Sequence, residues 1–171
     1  MGCSRIARAR RAVGVAAALL MLVAMAGPAA ATGPAVVFPA GTACADFDLG
    51  FDVGAPNGHS VYREFYDRDG NLVRVLSAGT GNALTFTNVS SGTSLSLPSN
   101  GAVSIQQPVP GGMRLTTLGH TVIIMFPTDV PAGPSTTLYV GRVVVNIDSS
   151  TGTWTLLSTA GRSMDICAAL R

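Results

Sequence analysis

The 171-residue sequence contains no lysine, and all of its 11 basic residues are arginine. It has a single tryptophan, a single glutamate at position 64 and only two histidines, so few groups are present for acid–base catalysis. Charged residues make up 12% of the chain and hydrophobic residues 47%, which excludes an intrinsically disordered protein. The length leaves room for one domain of ordinary size.

The first 31 residues have the pattern of a secretory signal peptide. Four arginines lie within the first eleven residues, and an uncharged run follows in which 13–25 is dominated by Ala, Val, Leu and Met. A glycine-proline break and an A-x-A sequence ending at Ala31 complete the pattern. The run is shorter than the roughly 18 apolar residues that span a bilayer. We predict that 1–31 is a cleaved signal peptide and that 32–171 is a single domain, secreted or associated with the cell envelope, without a transmembrane segment.

Removal of the signal peptide changes the sign of the net charge. Four of the 11 arginines belong to the leader, so the mature part keeps seven against nine acidic residues, a formal net charge of −2. This balance does not favour a basic patch of the kind that binds nucleic acid, and we expect no nucleic-acid partner. The sequence indicates no cofactor and leaves the partner unknown.

Two cysteines remain in the mature part, Cys44 and Cys167, one near each end. Export would place them in an oxidising compartment, where a disulfide is the expected state. A bridge closing a loop of this length contributes roughly 4–5 kcal/mol in the chain-entropy model. No CxxC or neighbouring Cys/His pair favours a metal site instead.

The mature part is typical of an all-β protein. Short segments rich in β-branched and aromatic residues recur about every eight to twelve residues, separated by Gly, Pro, Asn, Asp or Ser. This spacing predicts an antiparallel β-sandwich, with a β-barrel as the alternative. The only helix expected is a turn or two around 164–170. About ten strands are predicted, at 45–53, 60–66, 72–78, 83–88, 93–97, 102–107, 113–118, 121–126, 137–147 and 153–158.

One hairpin permits a prediction of register. In 62–76, YREFYDRDGNLVRVL, a three-residue loop with Gly70 in the left-handed conformation pairs Glu64 with Arg74 farther along the strands. A two-residue turn would instead place Phe65 opposite Arg74. We favour the first register because it joins opposite charges.

The run 122–126, VIIMF, lacks polar alternation, which indicates a strand covered on both faces, either central or crossing between sheets. Pro127, Pro131 and Pro134 prevent its continuation. Residues 127–135 are therefore predicted to form the longest irregular loop, and such loops often carry binding surfaces.

Three short motifs give the mature chain a resemblance to small exported β-rich proteins of high-GC bacteria. They are FPAG-x-x-C at Phe38–Cys44, N-x-x-S-G at Asn88–Gly92 and D-x-C-x-x-L at Asp165–Leu170. The resemblance implies a fold and no particular activity.

Three aspartates, Asp46, Asp48 and Asp52, are predicted to share one face of a strand. Carboxylates in this arrangement are potential ligands of Ca²⁺, which takes six to eight oxygens. The alternative, which we favour, is a solvated strand face whose charges discourage pairing with other chains. The sequence around Asp67 and Asp69 resembles the start of a calcium loop but lacks its later ligands, so turn chemistry explains it. We predict no metal site.

The two histidines, His59 and His120, are the available general bases for a hydrolase. Ser60 and Ser104 are candidate nucleophiles only by their presence, because no G-x-S-x-G elbow surrounds any serine. We favour ordinary turn or surface positions for both histidines. A secreted hydrolase using His120 or His59 with an aspartate remains an alternative.

The aromatic residues Trp154, Tyr139, Tyr62 and Tyr66 are candidates for a platform that stacks on sugar rings or polyols. Trp154, with Tyr139 and His120, is the preferred set of ligand-binding residues. The alternative, which we favour for a single tryptophan in a β domain, is a position in the core. We expect a domain with a non-catalytic binding or structural role. The alternatives are the hydrolase and a small-ligand carrier with a barrel cavity.

Overall fold

The structure is a computed structural model that describes residues 33–56, 58–97 and 101–171. The predicted signal peptide, 1–31, lies outside the described residues. Within them the chain is almost entirely β, as predicted, and no helix there is both long and apolar enough to cross a membrane. The elements are β1 (Val36–Phe38), β2 (Leu49–Pro56), β3 (Ser60–Tyr66), β4 (Leu72–Gly79), β5 (Asn82–Asn88), β6 (Ser94–Leu97), β7 (Ala102–Val109), β8 (Gly112–Met125), β9 (Ser135–Asp148), β10 (Trp154–Asp165) and α1 (Ile166–Ala169).

The strands form two antiparallel sheets that pack as a sandwich, which confirms the predicted fold class. The four-stranded sheet has the order β1-β2-β5-β6, and the six-stranded sheet has the order β10-β9-β8-β7-β4-β3. Among the described residues neither sheet closes on itself, because β1, β6, β3 and β10 each pair on one side only. The barrel alternative is therefore wrong.

A row of glycines crosses the three longest strands, β8, β9 and β10. Gly119 pairs with Gly141, which pairs with Gly161. Their φ angles are 124°, 149° and 113°, and a Cβ atom at Gly141 or Gly161 would collide with a carbonyl oxygen of the adjacent strand. Glycines of this kind mark places where strands bend or approach closely.

The glycine row is a bend that folds the six-stranded sheet over itself. On β9, Ser135 and Ile147 lie 12 residues apart, with Gly141 at the midpoint, and a straight strand would separate them by about 40 Å. The loop that precedes Ser135 nevertheless reaches β10, whose Trp154 pairs with Ile147. The backbone nitrogen of Val130 donates to the carbonyl oxygen of Trp154 at 2.8 Å.

The bend divides the six-stranded sheet into two halves. The proximal half packs against the four-stranded sheet and contains 120–125 of β8 and 135–140 of β9. The distal half contains β3, β4, β7, 154–160 of β10 and the remaining parts of β8 and β9, and 162–165 of β10 belong to the proximal half. We call the face that lines the bend, with Val143 and Val145, the inner face, and the opposite face the outer face.

Two hydrophobic cores lie on opposite faces of the proximal half. In the first core, Val122 and Ile124 pack against the four-stranded sheet. In the second, Ile123 and Met125 pack against the distal half. The prediction that 122–126 is covered on both faces is confirmed for these four positions. The buried residues of the first core are Ala43, Cys44, Phe47, Leu49, Leu84, Phe86, Leu138, Ile166, Cys167 and Leu170.

The first core also holds the two ends of the described chain. Cys44 and Cys167 form the predicted disulfide, with their Cα atoms 5.6 Å apart. The predicted C-terminal helical turn is α1, and the carboxylate of Asp165 caps it by accepting from the backbone nitrogen of Ala168 at 3.0 Å. Behind it, the side-chain amide of Asn88 donates to the carbonyl oxygen of Leu170 at 3.2 Å.

The β3–β4 hairpin has the predicted three-residue turn but a different register. A bulge at Val73 shifts the pairing, so that Glu64 faces Val75 and Phe65 faces Arg74. The predicted Glu64–Arg74 pair is wrong. The observed register places the Arg74 guanidinium 4.3 Å from the centroid of the Phe65 ring and buries Val75. The cation–π contact and the burial of Val75 together stabilise the hairpin more than an exposed ion pair would, because such a pair contributes little.

Candidate functional site

The structure does not place the four predicted aromatic residues on one platform. Trp154 and Tyr139 pack, half-buried, in the second core. Tyr62 and Tyr66 lie on β3, which β4, β7 and β8 separate from β9 in the sheet order. Ligand binding by Trp154 and Tyr139 stays a prediction, and both residues contribute to the packing of the bend.

The two histidines lie at separate, exposed positions. His120 follows Gly119 at the bend, pairs with Val140 and donates its backbone N–H to the carbonyl oxygen of Gly101 at 3.0 Å. His59 lies just before β3. Within the described ranges, neither imidazole has a hydrogen bond to a serine or a carboxylate, so nothing in this geometry favours the hydrolase alternative.

The prediction that the three candidate metal ligands share one strand face is wrong, because β2 begins at Leu49, after Asp46 and Asp48. Each of the three instead fastens a segment near one end of the described residues. One oxygen of Asp52 accepts from the backbone nitrogen of Ala35 at 2.7 Å. In the same way, Asp48 accepts from Ala40 at 2.8 Å. Asp46 pairs with the Arg171 guanidinium at 3.1 Å. No group of three potential metal ligands occurs in the described part of the chain.

The predicted loop 127–135 is docked onto the distal half rather than free. Its buried Asp129 accepts hydrogen bonds from the backbone nitrogen of Phe126, at 2.7 Å, and of Trp154, at 2.8 Å. The backbone of Val130 adds a short parallel bridge to Thr155. One carboxylate thus links the end of the proximal half to the start of β10, and the loop closes the bend.

A shallow groove of about 200 Å³ lies where the β7–β8 turn meets β9. Its one carboxylate, Asp148, is used by its own turn. Hydrogen bonds from the hydroxyl of Ser150 and the backbone nitrogens of Thr151 and Ser150 lower the pKa of Asp148 to about 2. Small-molecule pockets are typically larger, at about 300–1,000 Å³, so the groove does not support the carrier alternative.

The most exposed aromatic side chains lie on β3, at the free edge of the distal half. Tyr62 and Tyr66 are 64% and 56% exposed. Glu64 lies between them on the same strand face, which is the inner face because Glu64 pairs with Val75 and Val75 with Gln106. We call these three residues the tyrosine row.

Hydrogen bonds connect the three side chains of the tyrosine row. The Tyr62 hydroxyl donates to Oε1 of Glu64 at 2.9 Å, and the Tyr66 hydroxyl donates to Oε2. The bonds from Tyr66 and Tyr62 lower the pKa of Glu64 below 4.5. They raise the pKa of both tyrosines above 10.0. At neutral pH the row is therefore a carboxylate held between two neutral phenols.

A sequence signal for the tyrosine row was present. The spacing Y-x-E-x-Y places all three side chains on one face of a strand, because side chains alternate between faces with a period of two. The sequence prediction instead assigned Glu64 to Arg74 and grouped the tyrosines with Trp154.

No protein-family model matches this chain, and neither a curated protein nor a solved structure matches it.

Proposed function

We propose that the protein is an exported, disulfide-closed β domain with a non-catalytic binding role outside the cytoplasmic membrane. The observation that carries the proposal is the tyrosine row, two exposed tyrosine rings fixed by one carboxylate on an edge strand. The disulfide between Cys44 and Cys167 is consistent with an oxidising compartment.

The chemistry of the row suits a ligand rich in hydroxyl groups. An aromatic ring offers a flat apolar face to the C–H face of a sugar, while its hydroxyl gives orientation. The Glu64 carboxylate has two oxygens with about four acceptor positions, of which the two phenols use two. The row therefore keeps acceptor capacity for a sugar or polyol hydroxyl between the rings.

Export is tested by expressing the full chain in a bacterium and determining the N-terminus of the product in each cell fraction. We expect the protein in the medium or envelope fraction, starting at Thr32, with no free thiol after denaturation without reductant. A full-length product confined to the cytosol would contradict the proposal.

Binding is tested by co-sedimentation of the exported protein with insoluble polysaccharides and purified peptidoglycan sacculi. Replacing both tyrosines, Tyr62→Ala and Tyr66→Ala, is expected to weaken retention by about tenfold or more, because each stacked ring contributes about 1 kcal/mol. The matched control is Val36→Ala with Val37→Ala, two exposed apolar residues of β1 in the other sheet. Equal retention of both double variants, or no retention of the wild type, would oppose a role for the row.

A further inference from the structure

Strand register gathers arginines on the outer face of the distal half. Arg63 pairs with Leu76, which pairs with Ile105, and this row continues to Thr116 and Val144. The same alternation places three more arginines on this face. Arg74 lies two residues before Leu76 on β4. Arg114 and Arg142 lie at even positions of β8 and β9, as Thr116 and Val144 do. Four of the seven arginines after residue 31 thus share one face, which we call the arginine face. Its members are Arg63, Arg74, Arg114 and Arg142.

The arginine face carries one carboxylate, that of Asp148 at the end of β9. Glu64 points to the inner face, and Asp129 is buried in the loop that closes the bend. Asp148 accepts hydrogen bonds from the Ser150 hydroxyl and from the backbone nitrogens of Ser150 and Thr151, so its carboxylate is engaged by the turn that follows β9. The other aspartates lie in the first 52 residues, in the turn after β3, and at the cap of α1. In the described part of the chain the single ion pair is Arg171–Asp46, and neither residue belongs to the arginine face. The domain has a net negative charge, yet this face bears four positive charges and a single negative charge, which lies at its end.

The guanidinium groups of this face keep donors available for a ligand. Arg114 donates through Nε to the side-chain oxygen of Asn146, at 3.1 Å, and Arg142 contacts the Ser158 hydroxyl at 3.5 Å. Arg63, Arg114 and Arg142 are exposed. Since each guanidinium has five N–H donors, one neutral contact leaves most of them free.

Aliphatic side chains are interleaved with the arginines. Leu118 pairs with Arg142 and is 43% exposed, and Val61, two residues before Arg63, is 48% exposed. Exposed aliphatic groups add nothing to the binding of a soluble polyanion. At a membrane surface they reach the boundary between headgroups and acyl chains while the arginines meet the phosphates.

We propose that the arginine face docks on the surface of a membrane that contains anionic phospholipids. The proposal rests on the proposed function, because it requires export, and it names a lipid surface as a partner of the same domain. The tyrosine row lies on the opposite face of the sheet and stays accessible when the arginine face is docked.

The test is co-sedimentation of the exported protein with vesicles of phosphatidylcholine alone and with 30% phosphatidylglycerol, a composition chosen here as roughly that of an anionic leaflet. We expect binding to the anionic vesicles only, weakening as salt is raised. Arg114→Gln with Arg142→Gln should reduce affinity by roughly 30-fold, from about 1 kcal/mol per arginine near an anionic surface. The charge-matched control, Arg68→Gln with Arg162→Gln, removes exposed arginines from the hairpin turn and from beyond the bend, and should retain most of the affinity.

A second variant separates a lipid surface from a soluble polyanion. Leu118→Ser should weaken vesicle binding several-fold and leave any binding to heparin, used as a soluble polyanion, unchanged. Heparin binding that depends on the arginines, with vesicle binding unaffected by Leu118→Ser, would overturn the proposal in favour of a polyanionic polymer. Absence of wild-type binding to the anionic vesicles would also overturn it. Export and polysaccharide retention are measured separately, so the proposed function can stand when this inference fails.

Discussion

The proximal and distal halves of the six-stranded sheet use the same kind of strand for different purposes. The proximal half is covered on both faces, by the four-stranded sheet and by the distal half, and the disulfide lies in its core. In the distal half, β3 is exposed along nearly its whole length and β4 is exposed at its start. One half is the stable support, and the other displays side chains to solvent.

The two halves also differ in how they use charge. Near the chain ends, Asp48 and Asp52 accept backbone N–H groups and Asp46 holds Arg171, so these acids serve the fold. In the distal half, Arg63 and Arg142 are exposed and have no carboxylate partner among the described residues. Charge that is bound within the molecule contributes to stability, whereas charge without a partner is available for recognition.

The largest effect is expected from removing the disulfide of the proximal core. Cys44→Ser with Cys167→Ser should lower the free energy of unfolding by about 4–5 kcal/mol, because the bridge closes a loop with a sequence separation of 123 residues. Denaturant unfolding measures this loss, and the reduced wild type should give a similar value. The distal Tyr62→Ala is the comparison and should stay within about 0.5 kcal/mol of wild type. Similar losses for both would contradict the division into support and display.

The next effect is expected at the bend that joins the two halves. Gly141→Ala should lower the free energy of unfolding by about 3 kcal/mol, because φ is 149° and the added Cβ meets the carbonyl oxygen of Ala160. The control is Gly152→Ala, in a turn with φ of 72° and open space around it, which should cost about 1 kcal/mol. Equal costs would mean that the glycine row is not a required bend.

A smaller effect is expected at Asp129, which links the two halves through Phe126 and Trp154. Asp129→Ala leaves two backbone N–H groups without their acceptor and should lower the free energy of unfolding by about 2 kcal/mol. Asp46→Ala removes an exposed carboxylate and should change it by about 0.5 kcal/mol or less. Thermal unfolding of both variants measures the difference, and a neutral Asp129→Ala would show that the loop does not hold the bend closed.

The smallest effect is expected on the pH dependence of stability, through the pKa values of the tyrosine row in the distal half. The hydrogen bonds to Glu64 lower its pKa, so their contribution is present above its usual pKa and is lost as the pH falls through the lowered value. The same bonds raise the pKa of Tyr62 and Tyr66, so the contribution is also lost as the pH rises through those raised values. Glu64→Gln should return both phenols toward a pKa of 10.0, as measured by ultraviolet absorbance.

Phenol titrations that do not change between wild type and Glu64→Gln would contradict the hydrogen bonds of the tyrosine row.

Local patterns in the sequence were sufficient to predict the sandwich, the strand covered on both faces and the disulfide. Strand spacing indicated an antiparallel sandwich, the unbroken apolar run 122–126 indicated a strand covered on both faces, and the cysteine positions indicated the disulfide. These features depend on residue type and short-range period, which a single sequence contains. The signal peptide and the preferred ligand-binding residues stay predictions.

Features that depend on register could not be predicted in the same way. Gly119, Gly141 and Gly161 are ordinary isolated glycines until the pairing aligns them in one row. The bulge at Val73 places Arg74 opposite Phe65, a contact that pairwise charge rules did not include. The arginine face has the same cause, since its members come from four strands and meet only in the folded sheet.

Native-state hydrogen exchange tests most directly whether the two halves are support and display. Backbone amides of β9 on both sides of the glycine row should exchange only through global unfolding, because β9 pairs with β8 and with β10 on either side of the row and contributes buried residues to both cores. Amides of β3 should exchange through local opening at a distinctly lower free energy, because β3 is an exposed edge. Protection of β3 equal to that of β9 would contradict the division, and would show that the distal edge is as firmly held as the core.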